Sequence, residues 1–207
     1  LHADGFTRDI VSRLVSRSVL IPLHQGVYRV ATSPDTFESR CVAACAADPE
    51  AVITGVAAGR LWQFRHILPV NVPEVLVPHH ANPMSRGVTL RRTNQLVNED
   101  VVPRPDGIRV ASPQRAWFDC AVHLDDAHFE MLTEHVLDHH CQTPTLWRIT
   151  RRLEARGRRG LGRVRRVLSA RAEWQRPADS ALEVRALKAL GRAGITELVR
   201  DHPIKLA

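Results

Sequence analysis

The sequence predicts an α+β fold, and three features of its patterning lead to this prediction. A short helical pattern and two β-like runs open the chain, and three strand-like stretches separated by turns follow. From Ser112 onward the apolar spacing becomes helical, so the second half is expected to be mainly α. We therefore expect a small, mostly antiparallel sheet with helices packed around it.

The composition is that of a folded protein with polyanionic partners. The 207 residues are 44% hydrophobic and 25% charged, and the formal net charge is +7 with a sequence pI of about 10.2. This charge favours nucleic acid as a partner first and an anionic membrane surface second. The sequence has no apolar run near the ~20 residues that span a bilayer and no signal-peptide pattern. We therefore expect a cytoplasmic protein without a membrane partner.

The cysteine pattern indicates free thiols in a reducing compartment. Cys41, Cys45, Cys120 and Cys141 form no C-x-x-C pair. Cys41 and Cys45 fall on the apolar face of a predicted helix, where small buried side chains are expected.

The first 32 residues have the pattern of a helix followed by a hairpin. Thr7 is a predicted N-cap for a helix over residues 7–18, with Ile10, Leu14 and Val15 in an apolar stripe. Two β-like runs follow at residues 19–21 and 27–30, with a turn at Gly26. This order is typical of the last half of a winged helix-turn-helix, here without its first helix. We expect both chain ends to be cut.

The helix of this unit is a candidate recognition helix. In the major groove of DNA its polar side chains would reach bases or phosphates, and these are Arg8, Ser12, Arg13 and Arg17. The alternative is an ordinary solvated basic face. In the hairpin, Arg29 and His24 are weaker candidates for phosphate contacts.

Residues 33–145 are predicted to form an α+β core. Ser33-Pro34 is expected to open an amphipathic helix that ends at Asp48-Pro49, and Thr54 is expected to cap a second helix. The predicted strands cover residues 74–77, 88–92 and 108–111, and later helices are expected to begin near Ser112, Asp125, Thr143 and Ser180. Arg115 and Asp119 lie one helical turn apart. We interpret them as a structural pair that anchors its helix to the sheet, worth about 0.3 to 0.5 kcal/mol if exposed.

Residues 146–175 are interpreted as an arginine-rich helical linker at a domain boundary. Arginines dominate this stretch at positions 151, 152, 156, 158, 159, 163, 165 and 166. Arg158, Arg159 and Arg163 are candidates for contacts with DNA phosphates. Glycines at positions 157, 160 and 162 favour a flexible, solubilising linker instead, and the two interpretations are compatible.

Residues 134–141 contain side-chain pairs at a spacing that can bind zinc. His135 with His139 and Glu134 with Asp138 are such pairs. Because a third and a fourth ligand have no clear position, we expect an exposed polar helix end and no metal site. No P-loop, dinucleotide fingerprint or Ser-His-Asp set is present either, so no cofactor is expected.

The segment from Gly107 to Ala121, GIRVASPQRAWFDCA, resembles the signature of AbiEi-type antitoxins from type IV toxin-antitoxin systems. A strand, a Ser/Thr-Pro helix cap, an Arg and an Asp recur there in this order. Upstream, residues 26–29 resemble the winged-helix exit of the family, residues 52–62 its core helix, and residues 74–78 with 87–92 its sheet. The resemblance is collinear over roughly the first two-thirds of the chain.

Residues 176–207 resemble the start of a very-short-patch-repair-like endonuclease of the PD-(D/E)XK type, which actinobacterial AbiEi-like proteins often carry. The resemblance lies in RPADSALE at 176–183, then in Leu187, Leu190, Gly194 and residues 202–204. Of the family's acidic metal ligands only Glu183 has a counterpart, and one glutamate cannot complete a metal site. Ser180 and Glu183 also fit an S-x-x-E capping box, which we favour. The given chain is therefore not expected to be a complete enzyme.

The resemblance implies a bacterial DNA-binding transcriptional regulator that represses its own toxin-antitoxin operon. The partners it implies are double-stranded DNA, a second copy in a homodimer, and a cognate toxin that is counteracted without a stable complex. The alternative is the targeting part of a metal-dependent DNA endonuclease whose catalytic core lies beyond Ala207, with a divalent metal as its cofactor. A third hypothesis is an interaction module with a decayed DNA-binding end.

Overall fold

The computed structural model describes residues 6–80, 87–155, 158–171 and 181–195. These ranges contain eight α-helices and seven strands, which confirms the α+β class. In chain order they are α1 (Arg8–Ser16), β1 (Leu20–His24), β2 (Val27–Val30), α2 (Phe37–Ala47), β3 (Val52–Ile53), α3 (Gly55–Leu61), β4 (Glu74–Pro78), β5 (Thr89–Thr93), β6 (Val101–Pro103), β7 (Arg109–Ala111), α4 (Pro113–Cys120), α5 (Asp126–His139), α6 (Thr143–Leu153), α7 (Leu161–Ser169) and α8 (Ala181–Arg192).

The N-terminal unit is a helix followed by an antiparallel hairpin, as the sequence predicts. The Thr7 hydroxyl accepts a hydrogen bond from the Ile10 backbone N–H at 3.3 Å, so Thr7 is the N-cap of α1. The helix ends where Ser18 takes a φ of 56°, a left-handed conformation that stops helical hydrogen bonding. β1 then pairs with β2 around Gly26, whose φ of 75° suits the tight turn.

The apolar stripe of α1 differs by one position from the predicted one. Val11, Leu14 and Val15 are half-buried, whereas Ile10 is 38% exposed. Helical geometry places Val11 between Leu14 and Val15 on one face and turns Ile10 toward its edge. No residue of α1 is fully buried, so this helix rests on the hairpin without entering the core.

Helix α2 starts three residues later than predicted. The Thr36 hydroxyl accepts from the Ser39 N–H at 3.0 Å, and the Thr36 N–H donates to the Ser39 hydroxyl at 3.1 Å. This reciprocal capping box fixes the helix start after Thr36, which leaves Ser33-Pro34 outside the helix. The predicted face is correct, because Phe37, Cys41, Ala44 and Cys45 are all buried, and the helix ends at Asp48 as expected.

The larger sheet has five strands in the order β5-β4-β3-β7-β6. Its β3–β4 and β6–β7 pairs are antiparallel, and its β3–β7 and β4–β5 pairs are parallel. The sheet itself is therefore mixed, and only together with the β1–β2 hairpin do antiparallel pairs predominate among the described strands.

Helix α4 lies at the centre of the fold, where it contacts α3, α5 and α6. All six residues from Arg115 to Cys120 are buried. The Trp117 ring stacks on Phe129 with centroids 5.3 Å apart, and its indole N–H donates to the Thr133 hydroxyl at 2.9 Å. A fully buried tryptophan with its N–H satisfied is a strong packing anchor.

The arginine-rich stretch is folded into the core and is not a linker. Leu146, Ile149 and Leu153 of α6 and Leu161, Val164 and Leu168 of α7 belong to the same buried cluster as α2 to α5. The composition misled the prediction, because a stripe of leucine and valine packs inward, while exposed positions are taken by Arg151, Arg159, Arg165 and Arg166. Residues 143–155 and 158–171 are therefore structurally continuous with the α+β core.

The four cysteines are free, and burial raises the pKa of the thiols of Cys41, Cys45, Cys120 and Cys141.

Within the described ranges, no helix combines the length and the apolar character that a membrane span requires.

Candidate functional site

The exposed face of α1 carries the residues that the sequence assigns to DNA recognition. Arg8, Ser12, Arg13 and Arg17 are all exposed, and among the described residues the three arginines have no ion-pair partner. Helical spacing places Arg8 and Ser12 along one edge of this face and Arg13 and Arg17 along the other. The side chains are thus free to reach a ligand in front of the helix.

A groove separates the first of these edges from the hairpin. It has a volume of about 570 Å³ and is lined by Arg8, Val11, Ser12, Val15 and Tyr28 among others. The groove has an apolar floor and a polar edge, so Arg8 and Ser12 stand beside a surface cleft.

The hairpin contributes less cationic surface than predicted. The Arg29 guanidinium is half-buried and donates to the backbone carbonyl of Ser33, so it braces the strand end. Burial lowers the pKa of His24, which favours the neutral imidazole. Arg29 and His24 are therefore poorly placed to bind phosphates by charge.

The three arginines predicted to contact phosphate from the arginine-rich stretch have three different environments. Arg163 donates from Nε to Asp126 Oδ1 at 2.6 Å and from Nη1 to the Ala121 carbonyl. Arg158 is turned into the protein, whereas Arg159 is exposed. Only Arg159 keeps the solvated position that the prediction requires, because packing of α7 brings the other two beside acceptors.

A buried polar cluster lies behind Arg158, around Asp119 on α4. Asp119 Oδ2 accepts from Arg115 Nε at 2.9 Å and from the Thr54 hydroxyl at 2.8 Å. Arg115 Nη1 also donates to Asp100 Oδ2 at 2.9 Å. These four residues are at most 1% exposed. The predicted Arg115–Asp119 pair is confirmed, and it is buried. Its anchoring role stays a prediction, and the Thr54 hydroxyl contacts Asp119 where helix capping was expected.

Further arginines and carboxylates extend this cluster to the surface. Glu74 on β4 accepts from Arg91 Nη1 at 3.0 Å and is 3.0 Å from His123 Nε2. Arg152 from α6 pairs with Asp100, and Arg158 Nη1 donates to Gln95 Oε1 at 2.7 Å. We call the set Glu74, Arg91, Asp100, Arg115, Asp119, Arg152 and Arg158 the arginine cluster.

A polar cavity of about 480 Å³ opens on the arginine cluster. Its walls come from β4, β5, the loop after β5, α4 and the segment after α6, and they include Arg91, Arg92, Asn94, Gln95, Arg115 and Arg158. The cluster has four guanidiniums against three carboxylates, so its formal charge is positive. Such a cavity favours anions.

The arginine cluster could not be assembled from the sequence, because its residues come from separate segments brought together by the sheet. One signal was present. Arg115 and Asp119 are flanked by Ala116, Trp117, Phe118 and Cys120, which make the other faces of the helix apolar and indicate that the helix lies in the core.

The histidines of α5 form a compact group with a ring from another segment. The His135 and His139 ring centroids are 4.4 Å apart, and Phe64 packs edge-on against His135. Burial, followed by the charges of His139 and His140, lowers the pKa of His135 to about 4. No group of potential metal ligands is found among the described residues. His135 is therefore half-buried and its ring is neutral, whereas the sequence predicts an exposed polar helix end at this position.

We expect the thermal stability of the protein to fall as the pH drops from about 6.5 toward about 4. In this window an unfolded histidine, with a pKa near 6.5, binds a proton that the folded His135, with its pKa lowered to about 4, rejects. Protonation therefore favours unfolding, and His140, whose pKa is also lowered, adds to the effect. Melting curves at pH about 7 and about 5 should show a smaller decrease for His135→Gln. The exposed His79→Gln, which lies outside this histidine group, is the control, and an unchanged decrease in His135→Gln would contradict the assignment.

The residue proposed as a nuclease remnant falls largely outside the described part of the chain. Helix α8 begins at Ala181, close to the predicted start, but Ser180 and the Glu183 side chain are not among the described atoms. The capping-box interpretation and the metal-ligand interpretation of Glu183 both stay predictions.

The resemblance to AbiEi antitoxins stays a prediction from local sequence patterns. Residues 107–121 run through β7 into α4, and residues 26–29 lie in the hairpin. Comparison with known proteins adds nothing to this resemblance, because neither a protein-family model nor a curated protein sequence matches the chain.

Proposed function

We propose that this protein is a DNA-binding transcriptional regulator of the antitoxin type, and that α1 with the β1–β2 hairpin contacts the duplex. One observation carries the proposal. Helix α1 exposes Arg8, Ser12, Arg13 and Arg17 on its outer side, while its apolar stripe rests on the hairpin. The net charge of +7 supports a polyanionic partner.

The dimensions of α1 suit this role. An α-helix with its side chains is about 10 to 12 Å across, and the major groove is about 12 Å wide. Arginines on both edges of the exposed face can contact the two phosphate walls or donate in pairs to guanine. The capped start of α1 also directs backbone N–H groups at an approaching phosphate.

Regulation follows as part of the same proposal. A cytoplasmic homodimer would place two copies of α1 on half-sites about 34 Å apart and so read a palindromic operator. Repression of a toxin-antitoxin operon, and action on the toxin without a stable complex, follow from the family resemblance. The endonuclease alternative draws on no observation in the described residues and stays a prediction from the sequence.

We expect the double variant Arg13→Ala, Arg17→Ala to bind the duplex from upstream of its own gene roughly 100-fold more weakly, at about one tenfold step per contact. The measurement is a fluorescence-anisotropy titration at several salt concentrations, with a scrambled duplex in parallel. Two lost phosphate contacts should also reduce the slope of log K against log salt by about two.

The matched control removes the same charge elsewhere. Arg104→Ala, Arg148→Ala changes two arginines outside the N-terminal unit and should weaken binding less than about threefold. Equal losses for the two double variants would indicate a general charge effect and contradict recognition by α1. Equal binding to native and scrambled duplexes would leave only a phosphate-binding surface.

A further inference from the structure

We propose that the cavity over the arginine cluster binds the phosphate group of a small ligand. The cavity is formed by β4, β5, α4 and the segment after α6, none of which belongs to the N-terminal helix and hairpin. The cavity is therefore a second site, separate from the proposed DNA contact.

The hydrogen-bonding capacity of three arginines at this cavity is not used up by the protein. Arg91 Nη2 and Arg158 Nη2 are each 3.6 Å from Asp119 Oδ1, which is beyond hydrogen-bond distance. Arg115 Nη2 is buried and has no hydrogen-bond partner among the described residues, and neither has the acceptor Asp119 Oδ1. Three guanidiniums thus lie around the Asp119 carboxylate with unused donors, although one oxygen of that carboxylate also lacks a hydrogen bond.

Buried guanidinium N–H groups without a partner are stabilised when an acceptor binds to them. Arg115 is fully buried, and a buried charged donor without a partner costs free energy that an anion can restore. A phosphate has several acceptor oxygens in a geometry that matches the guanidinium fork, so one group can bind two or three arginines at once.

The depth of the arginines indicates a small ligand in preference to a DNA backbone. The Arg158 side chain is 17% exposed and Arg115 is not exposed, so the phosphate must enter the cavity. The phosphates of a duplex lie on a wide, rigid surface and cannot enter the cavity to reach these arginines. A terminal phosphate monoester can enter it. The volume of about 480 Å³ is that of small-molecule sites.

The rim of the cavity can hold the rest of such a ligand. Thr93, Asn94 and Gln95 supply hydroxyl and amide groups, and Leu76 supplies an apolar contact. The Arg158 guanidinium is held 4.8 Å above the Phe118 ring and by Gln95, so it is positioned before a ligand arrives.

The test is isothermal titration calorimetry of the full chain with inorganic phosphate and, separately, with adenosine 5′-monophosphate at low ionic strength. We expect at least one probe to bind with a dissociation constant of about 1 mM or tighter. Comparable binding of both would identify free phosphate as sufficient, and tighter binding of the nucleotide would show that the rim takes part. Absence of binding by both probes would overturn the proposal.

Two variants and one control connect the binding to this cavity. Arg158→Gln removes a charged donor and should weaken binding at least about tenfold. Asn94→Asp places a negative charge on an exposed rim residue without touching the buried network, and should weaken it severalfold. Arg104→Gln, outside the cavity, should have no effect. Unchanged affinity in Asn94→Asp and in a folded Arg158→Gln variant, or an equal loss in Arg104→Gln, would place the anion elsewhere.

Discussion

Replacing Arg115 with methionine is expected to lower the free energy of unfolding by about 3 to 5 kcal/mol. The guanidinium donates to Asp119 Oδ2 and to Asp100 Oδ2, each at 2.9 Å, and none of the three side chains is more than 2% exposed. Methionine fills a similar volume without a charge, so the variant leaves two buried carboxylates with too few donors. That loss is much larger than the value of an exposed pair, because solvent cannot replace the missing partner.

Urea titration followed by circular dichroism measures the effect, and a decrease in the melting temperature of about 10 °C should accompany it. Arg104→Met is the control, since Arg104 pairs with Asp106 at 3.0 Å on the surface, with both side chains at least a third exposed. It should cost less than about 1 kcal/mol. Similar losses for the two variants would show that the Arg115 network contributes no more than a surface pair.

The elements predicted well are those specified by local chemistry. A capping hydroxyl at Thr7, a turn glycine at Gly26 and a capping carboxylate at Asp125 each act over a few residues, so the sequence around them suffices. The start of α2 was misplaced because two local signals competed. Ser33-Pro34 and Thr36 both resemble helix starts, and the reciprocal bonds of Thr36 with Ser39 decide between them.

The arginine cluster depends on tertiary structure that no local pattern encodes. Thr54, Asp100 and Asp119 are far apart in the sequence, and the order of the strands brings them to one side of α4. The prediction that the arginine-rich stretch is a linker was wrong for a related reason. Its charge predicts solvation, but Asp126 and Glu154 lie within reach of Arg163 and Arg165 once α7 packs on the core.

The candidate DNA-contacting face was accessible to sequence reasoning because it is one helix with a regular period. Arg8, Ser12, Arg13 and Arg17 lie where that period puts them. The cavity could not be predicted in this way, since its lining residues come from separate segments and no local pattern indicates that these segments meet.

Replacing Gly55 with alanine is expected to destabilise the protein by about 3 kcal/mol, which makes it the second large effect. Gly55 opens α3 with a φ of 55°, a left-handed conformation that costs an alanine about 1 to 2 kcal/mol. An added Cβ would also lie 2.0 Å from Glu74 Oε2 and 2.8 Å from Glu74 Cδ. The Glu74 carboxylate must then move, although it is buried and pairs with Arg91 and His123.

Gly26→Ala separates the two contributions. Gly26 has a φ of 75°, but an added Cβ there would meet no atom within 4 Å, so that variant should show the backbone cost alone. The excess loss of Gly55→Ala over Gly26→Ala then measures how firmly Glu74 is held. Adding Glu74→Ala should remove most of this excess, since the clash disappears with the carboxylate. Equal losses in the two glycine variants would mean that the Glu74 side chain moves aside without cost, and that its pairs with Arg91 and His123 do little to hold the wall of the cavity in place.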